Sequence, residues 1–430
     1  MRMPIMIMLM LLSGISLGYE VGIFPTIINS LTQSFHLTLT VIPVVAASSS
    51  IAAALAALAC GFLADYFGRR VFLLAAIVIF TLGILESSIA ESLSELLFGR
   101  ILFGCGMGAL FVLTPIYLIE LSPANHRGQW MATYFLAINI GIFMACVIGF
   151  LCMTHHVWRF LMVLGFFPMV LIGLCSRFMP ESPRWLMQKT AASHTAIAKP
   201  VTLWDERGIK VLLIGMIINI FAQAVGVHAI VVYATLTMHG LSLHDSFSSL
   251  TSNIMMAFAI MIGTFLAVRV IDAVPRRRLL LLGMSGMTTS LVLLSWALGH
   301  QTDVSFMTFI VLVACALFVG CHGFSLAPMA SLLPGELFPQ SVRGAGMGIC
   351  SSVYWITNTI VVYAFPHMLI EYGAMISFLV FLGFTLIAWV WFYFNIPETS
   401  QVSLEILEQH VQEGRQNRHL GVEDVFAGLN

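Results

Sequence analysis

The pattern E-L-x-P-x-x-x-R-G occurs twice in this chain, from Glu120 to Gly128 and again from Glu336 to Gly344. Two further pairs recur at nearly the same offset. Pro180-Glu181-Ser182 returns as Pro397-Glu398-Thr399, and Asp65 with Arg69-Arg70 returns as Asp272 with Arg276-Arg277. The chain is therefore one half written twice in the same direction. Both halves are strongly apolar, so the fold must be a membrane protein assembled from two parallel repeats.

Composition sets the solvent. Hydrophobic residues make up 59% of the chain and charged residues 9%, with a mean hydropathy of +0.97. Soluble domains carry roughly 25% charged residues. No aqueous fold could hide this much apolar surface, so lipid is the medium. A net charge of −1 offers no reason to expect a nucleic-acid partner. The eight Cys residues all fall in apolar runs without a C-x-x-C pair, which reads as small buried hydrophobes rather than a disulfide or metal framework. No nucleophile–base set, phosphate loop or metal-ligand spacing is present, so the expectation is a protein that is not an enzyme and has no cofactor. The apolar run after Arg2 continues past Glu20 to Ile28, too long for the core of a secretory signal.

A spanning helix needs about 20 mostly apolar residues. About twelve such segments are readable, near 4–29, 41–64, 71–90, 96–120, 129–153, 159–179, 209–238, 247–271, 278–299, 306–334, 344–369 and 374–396. The expected fold class is an all-α membrane protein of two six-helix, pseudo-symmetric bundles. The bundles are expected at 1–185 and 209–398, with a linker at 186–208 and a polar tail at 399–430. With an even number of crossings, 17 of the 19 Lys and Arg residues fall on one side, leaving Arg159 opposite and Arg100 inside the fourth span. That imbalance predicts both termini in the cytoplasm of a multi-pass protein. The bacterial cell membrane is the expected location, and a monomer the expected state.

Several charged residues cluster at the ends of spans on this basic face. Asp65, Arg69 and Arg70 lie between the second and third spans, and Asp272, Arg276 and Arg277 repeat them in the second half. Positive-inside anchoring alone explains the arginines but not an acid and a base recurring at fixed spacing. Glu120, Arg127, Glu336 and Arg343 end or begin the fourth, fifth, tenth and eleventh spans, while Glu181, Arg184 and Glu398 follow the sixth and twelfth. Acids and bases from both halves on one rim suit a charge-assisted latch that is closed in one conformation and open in another.

These runs resemble the sugar porter family of the major facilitator superfamily. The resemblance covers nearly the whole chain. It is carried by G-x-L-A-D-x-x-G-R-R at 61–70, the doubled E-x-x-P-x-x-x-R-G, P-E-S-P-R-W-L at 180–186 and P-E-T at 397–399. It implies the major facilitator fold, with alternating access around a central site. This chain departs from the family in its short central linker, where members usually have several intracellular helices.

Glu20 is the one acid well inside an apolar span. A charge at mid-bilayer costs about 2.5–3.5 kcal/mol on insertion scales, which makes it a functional candidate. Gly18-Tyr19-Glu20 is similar to the family's G-Y-D, whose acid carries the proton in coupled members. Arg100 matches the family's intramembrane Arg. Both residues fall in the outer halves of their spans and could meet, and a rearrangement that parted them would switch proton affinity. Glu20 and Arg100 are therefore the expected proton-coupling residues.

The substrate site follows the resemblance less closely. Phe135 stands where the family has a sugar-binding Gln, with Asn139 one turn away as a partial substitute. The family's Q-Q-x-x-G-x-N reads Ala222-Gln223-Ala224-Val225-Gly226-Val227-His228, so one Gln survives and the Asn has become His. Ile260, Gly323 and Ser331 replace family polar or aromatic positions, while Trp355 and Asn358 survive. The expected substrate-binding residues are Gln223, His228, Trp355, Asn358, Asn139 and Phe135. His322 is assigned to helix packing. A hexose presents many hydroxyls that need partners when desolvated, and this cavity is less polar than a typical hexose site. The reading is a proton-coupled symporter of a sugar or polyol, with a small molecule and a proton as partners. A carrier of organic acids or cations on the same fold is the alternative, and a non-transporting sensor fits less well.

Overall fold

The computed structural model describes residues 2–38, 41–152, 157–175, 180–192, 202–231, 246–299, 304–400, 402 and 404–413. The described chain is helical and contains no strand. Parts of the expected linker, seventh span and tail (193–201, 232–238 and 414–430) lie outside these residues, as do Arg177, Lys199, Arg415 and Arg418.

The first half runs α1 (Arg2–Phe35), α2 (Ile42–Phe67), α3 (Arg69–Ile89), α4 (Leu93–Leu121) and α5 (Arg127–Leu151), followed by α6 (Trp158–Leu164) and α7 (Phe166–Cys175). The last two are one crossing broken at Gly165. A short helix, α8 (Pro183–Ala192), lies in the linker region. The second half contains α9 (Glu206–Ala224), α10 (Ser246–Val270), α11 (Arg276–Gly299), α12 (Val304–Phe324), α13 (Leu326–Leu337) and α14 (Arg343–Asn395), with α15 (Leu404–Glu413) in the tail. Eleven helical stretches are long and apolar enough to cross a bilayer. The last of them is two crossings joined at Gly373, whose φ of 78° turns the chain back. Phe365 before the turn meets Phe378 and Phe381 after it, at ring separations of 5.7 and 5.3 Å. The twelve expected crossings are thus all present.

Large apolar side chains such as Leu55, Val71, Phe160 and Leu282 are exposed on the outer faces of their helices, as lipid contact requires. Within the first half α1 packs on α5, and α4 on both α2 and α3. Within the second, α10 and α11 pack on α12, and α14 on α9 and α11. The most extensive pairings between the halves are α2 with α14 and α5 with α10, with α4 also meeting α14. The first two are equivalent under the internal repeat, so the interface has the same plan on both sides of the pseudo-symmetry axis.

The α2–α14 contact is close because small residues face each other there. A Cβ added at Gly61 would lie 2.5 Å from the Gly344 carbonyl oxygen and 2.7 Å from the Gly348 Cα. In lipid the helices gain little from apolar burial, so backbone approach and van der Waals contact supply the cohesion. Overpacking such a contact costs about 1–3 kcal/mol. Gly61→Leu should therefore insert normally yet shift the halves apart by roughly ten- to hundredfold in population. Spin labels at the exposed Tyr66 and Arg278 should report a longer distance than in the unaltered chain. An unchanged distance would show that this seam does not set closure.

Candidate functional site

The basic face holds two copies of one charged cluster. In the first, the Arg69 guanidinium meets Asp65 at 2.8 Å and Glu120 at 3.2 Å. In the second, Arg276 meets Asp272 at 2.8 Å and Glu336 at 3.8 Å. Hydroxyls complete both clusters. Ser182 donates to Glu120, and Thr399 donates to Glu336 at 2.6 Å. Glu181 accepts from the backbone N–H groups of Arg69 and Arg70 at the start of α3, while Glu398 accepts from those of Arg276 and Arg277 at the start of α11. Glu181 and Glu398 thus close each half upon itself and do not bridge the halves. Arg277 also donates to the Tyr393 carbonyl. The Arg184 side chain takes a different partner from the expected rim, Glu405 of α15, at 3.0 Å.

The bonds between halves come from the two aspartates. Asp65 accepts from the backbone N–H of Gly344 and Ala345, at 3.2 and 2.9 Å. Asp272 accepts from Gly128 and Gln129, at 3.1 and 2.7 Å. Each carboxylate sits at the N-terminus of a helix in the opposite half, satisfying orphan donors and the positive end of the helix dipole. The cross-half Arg–Glu pairs are longer, 3.6 Å for Arg127–Glu336 and 4.0 Å for Arg343–Glu120. The rim charges of the two halves therefore do face one another, with the direct hydrogen bonds running through Asp65 and Asp272 and the Arg–Glu pairs behind them.

A second cluster lies inside the membrane between the halves. The Ser50 hydroxyl of α2 donates to Asn358 Oδ1 on α14 at 3.0 Å. Asn358 Nδ2 donates to Gln223 Oε1 on α9 at 3.0 Å, and the same oxygen is 2.8 Å from His228 Nδ1. Gln223 is 0% exposed, and its Nε2 has no hydrogen-bond partner. The Tyr354 hydroxyl neighbours this amide without meeting hydrogen-bond geometry. Trp355 Nε1 is likewise buried and unpartnered. Phe111 of α4 stacks on Tyr354 at 5.0 Å and meets Trp355 edge-on at 5.4 Å, so the first half supplies an aromatic wall. Phe135 joins that wall through Phe111 at 6.2 Å. Asn139 stands apart from these groups and donates to Thr264 on α10 at 2.7 Å, a second polar bond between the halves. Gln223, His228, Trp355 and Asn358 are thus brought together, Phe135 contributes from behind, and Asn139 is engaged at the other cross-half helix pair.

Glu20 and Arg100 are both buried, but no ion pair joins them. Glu20 is 1% exposed, and its Oε1 has no hydrogen-bond partner. It lies against the break in the sixth crossing, where a Cβ on Gly165 would collide with that oxygen. Neighbouring residues bind the same broken segment. Tyr19 donates to the Leu161 carbonyl at 2.8 Å, and Ser16 donates to that of Gly165. The Arg100 guanidinium donates to Ser49 at 2.8 Å and lies 4.2 and 5.0 Å from the Phe24 and Phe103 ring centroids. Aromatic faces and one hydroxyl replace the expected carboxylate, a cation–π arrangement that holds a desolvated Arg.

Sequence reading missed Ser182, Thr399, Ser49, Ser50, Phe111, Tyr354 and Thr264. The two hydroxyls of the rim carried a signal, since Ser182 and Thr399 occupy matching places in the repeated P-E-[ST]. Ser48-Ser49-Ser50 also stands out as three hydroxyls inside an apolar span. The aromatic wall carried no signal, because aromatic residues are frequent in every span.

Comparison with known proteins agrees with this architecture. A family model described as "Sugar (and other) transporter" matches residues 6–199 and again 198–410, so both repeats are covered. The glucose transporter GlcP of Staphylococcus epidermidis is 27% identical over 432 residues, covering 94% of this chain and 96% of its own. The major myo-inositol transporter IolT of Bacillus subtilis is 26% identical, covering 92% of each chain. Among solved structures, the proton:xylose symporter XylE bound to 6-bromo-6-deoxy-D-glucose superposes with a TM-score of 0.83 at 22% identity, covering 94% of this chain and 98% of its own. That likeness establishes the major facilitator fold. With both repeats matched and twelve crossings in place, this multi-pass membrane protein is a transporter rather than an enzyme, and it belongs to the sugar transporter family.

Proposed function

We propose that this chain carries a sugar or polyol together with a proton, by alternating access, as a monomer in a bacterial cell membrane with both termini cytoplasmic. The observation that carries the reading is the polar cluster around Gln223. It lies between the halves, walled by Phe111, Tyr354 and Trp355, and it holds buried donors with no protein partner. Buried donors without partners are costly unless a ligand satisfies them. Aromatic faces suit the C–H surface of a sugar, and amides suit its hydroxyls. The relatives named for glucose and myo-inositol support this substrate class.

The basic-face rim is the cytoplasmic gate, closed in this conformation. Opening it breaks both aspartate caps and separates Arg127 from Glu336 and Arg343 from Glu120. Removing one partner of a buried ion pair leaves the other charge uncompensated, so the gate switches between two arrangements and does not soften gradually. Glu20 is the proton site. Its unpartnered oxygen lacks a donor that a proton on the carboxyl supplies, and its place beside the broken sixth crossing ties it to a segment able to bend. Arg100, parked on Ser49 and two rings, takes part when the halves rearrange.

Three outcomes are expected. A helix cap contributes about 0.5–2 kcal/mol. Asp65→Ala with Asp272→Ala should therefore speed cytoplasmic-side maleimide labelling of the buried Cys60 by more than Arg127→Ala with Arg343→Ala does. Labelling at the unaltered rate in both double variants would leave the rim as a positive-inside anchor. Glu20→Gln should abolish substrate accumulation driven by a pH gradient while preserving counterflow exchange in proteoliposomes. Accumulation that survives would remove Glu20 from the coupling role. Gln223→Ala and Asn358→Ala should each weaken binding of a polyhydroxyl ligand by about 1–3 kcal/mol, roughly ten- to hundredfold, with normal membrane insertion. If both bind normally while Arg100→Ala or His228→Ala removes uptake of an organic anion, the sugar reading gives way to an acid carrier.

A further inference from the structure

His322, which sequence reasoning assigns to packing, has a hydrogen-bonding state set by its neighbours. The reason begins in α9. That helix stops at Ala224, and Gly226 takes a φ of +90°. The Gly226 N–H turns to the Gln223 carbonyl at 2.9 Å, and the Val225 N–H to that of Phe221 at 3.3 Å. The Ala222 carbonyl thereby loses the helical donor four residues ahead of it. A buried carbonyl requires a donor, and His322 Nε2 of α12 stands 3.3 Å from it. A carbonyl oxygen only accepts, so Nε2 carries the hydrogen. A neutral imidazole then presents Nδ1 as an acceptor. That nitrogen has no partner, and the residue is 4% exposed.

The same reasoning applies to the two other open atoms of the cluster. Gln223 Oε1 is occupied by Asn358 and His228, so the remaining Nε2 can only donate. Trp355 is 5% exposed, and its indole N–H can only donate. His322 bonds to the residue next to Gln223 in the chain and lies within electrostatic range of His228. The open atoms of Gln223, Trp355 and His322 are thus two donors and one acceptor. A carboxylate can only accept and would leave Nδ1 unanswered, and an ammonium can only donate and would leave both N–H groups unanswered. A hydroxyl does both.

We propose that His322 is a substrate-binding residue whose Nδ1 accepts a hydrogen bond from a ligand hydroxyl while Gln223 and Trp355 donate to ligand oxygens, making the site selective for neutral polyhydroxyl molecules over acids and amines. The proposal rests on the sugar reading above.

Counterflow into proteoliposomes tests it, with D-glucose, D-xylose and myo-inositol as probes and succinate, an acid without hydroxyls, as competitor. His322→Phe, which fills the space without an acceptor, should raise the half-saturating concentration of the transported probe roughly tenfold. His322→Asn, whose amide oxygen falls near the position of Nδ1, should recover most of that loss. His322→Gln, whose oxygen falls near Nε2, should not. Succinate, which can only accept, should compete poorly with the unaltered chain. Unchanged affinity in His322→Phe, or equal losses in the Phe and Asn variants, would overturn the role of Nδ1 while leaving the sugar reading intact. Competition by succinate as strong as that by D-glucose would overturn the selectivity. Failure of the unaltered chain to exchange any of the three probes would overturn the sugar reading and this proposal together.

Discussion

Each half of this protein finishes a helix that belongs to the other. The Asp65 carboxylate supplies the N-terminal acceptor for α14, and Asp272 does the same for α5. The first peptide groups of a helix have no intrahelical acceptor, and near the membrane surface that deficit matters. Placing the remedy on the opposite half makes closure of the basic face the condition under which both helix starts are satisfied. The neighbouring arginines follow from this. Arg69 and Arg276 hold the two aspartates in place at 2.8 Å, and Glu120 and Glu336 hold the arginines. Ser182 and Thr399 then anchor those glutamates.

The interior is built on a different rule. Among the described residues three crossings are interrupted, at Gly165, at Gly226 and at Ser325, and each interruption lies beside a candidate functional group. Breaks expose backbone polar groups that lipid cannot satisfy, so they are tolerated only where protein surrounds them or a cavity is lined. Glu20 lies at the first break. Gln223 precedes the second, and His322 precedes the third while serving the carbonyl freed by the second. Polar chemistry is concentrated where the helices are irregular.

Much of this was legible in the residues. The doubled motifs revealed the repeat, the apolar segments revealed twelve crossings, and recurrence at fixed offset revealed which charges form the rim. What recurrence could not reveal was pairing. Asp65 and Arg69 look like partners in sequence, and they are, but the contacts that matter between halves reach Gly344 and Ala345, far away in the chain. Glu20 and Arg100 present the opposite case. As the two deep charges they looked like a pair, yet the Phe24 and Phe103 faces and Ser49 hold the arginine. An aromatic residue in an apolar span does not announce whether it faces lipid, core or cation. The hydrogen bond of His322 was hidden for a related reason, since it goes to a carbonyl released by a turn in another helix.

The exchanged caps also bear on how the chain is made. While the first half is being synthesised, α5 has no Asp272 to answer its leading amides, and Asp65 has no helix to meet. The N-terminal bundle therefore enters the bilayer with its seam unfinished, and completion waits for the C-terminal bundle to arrive. Two separately translated halves would carry complementary unmet needs at matching depths. Biogenesis of this transporter is in that sense an assembly reaction between unlike subunits that happen to share one polypeptide.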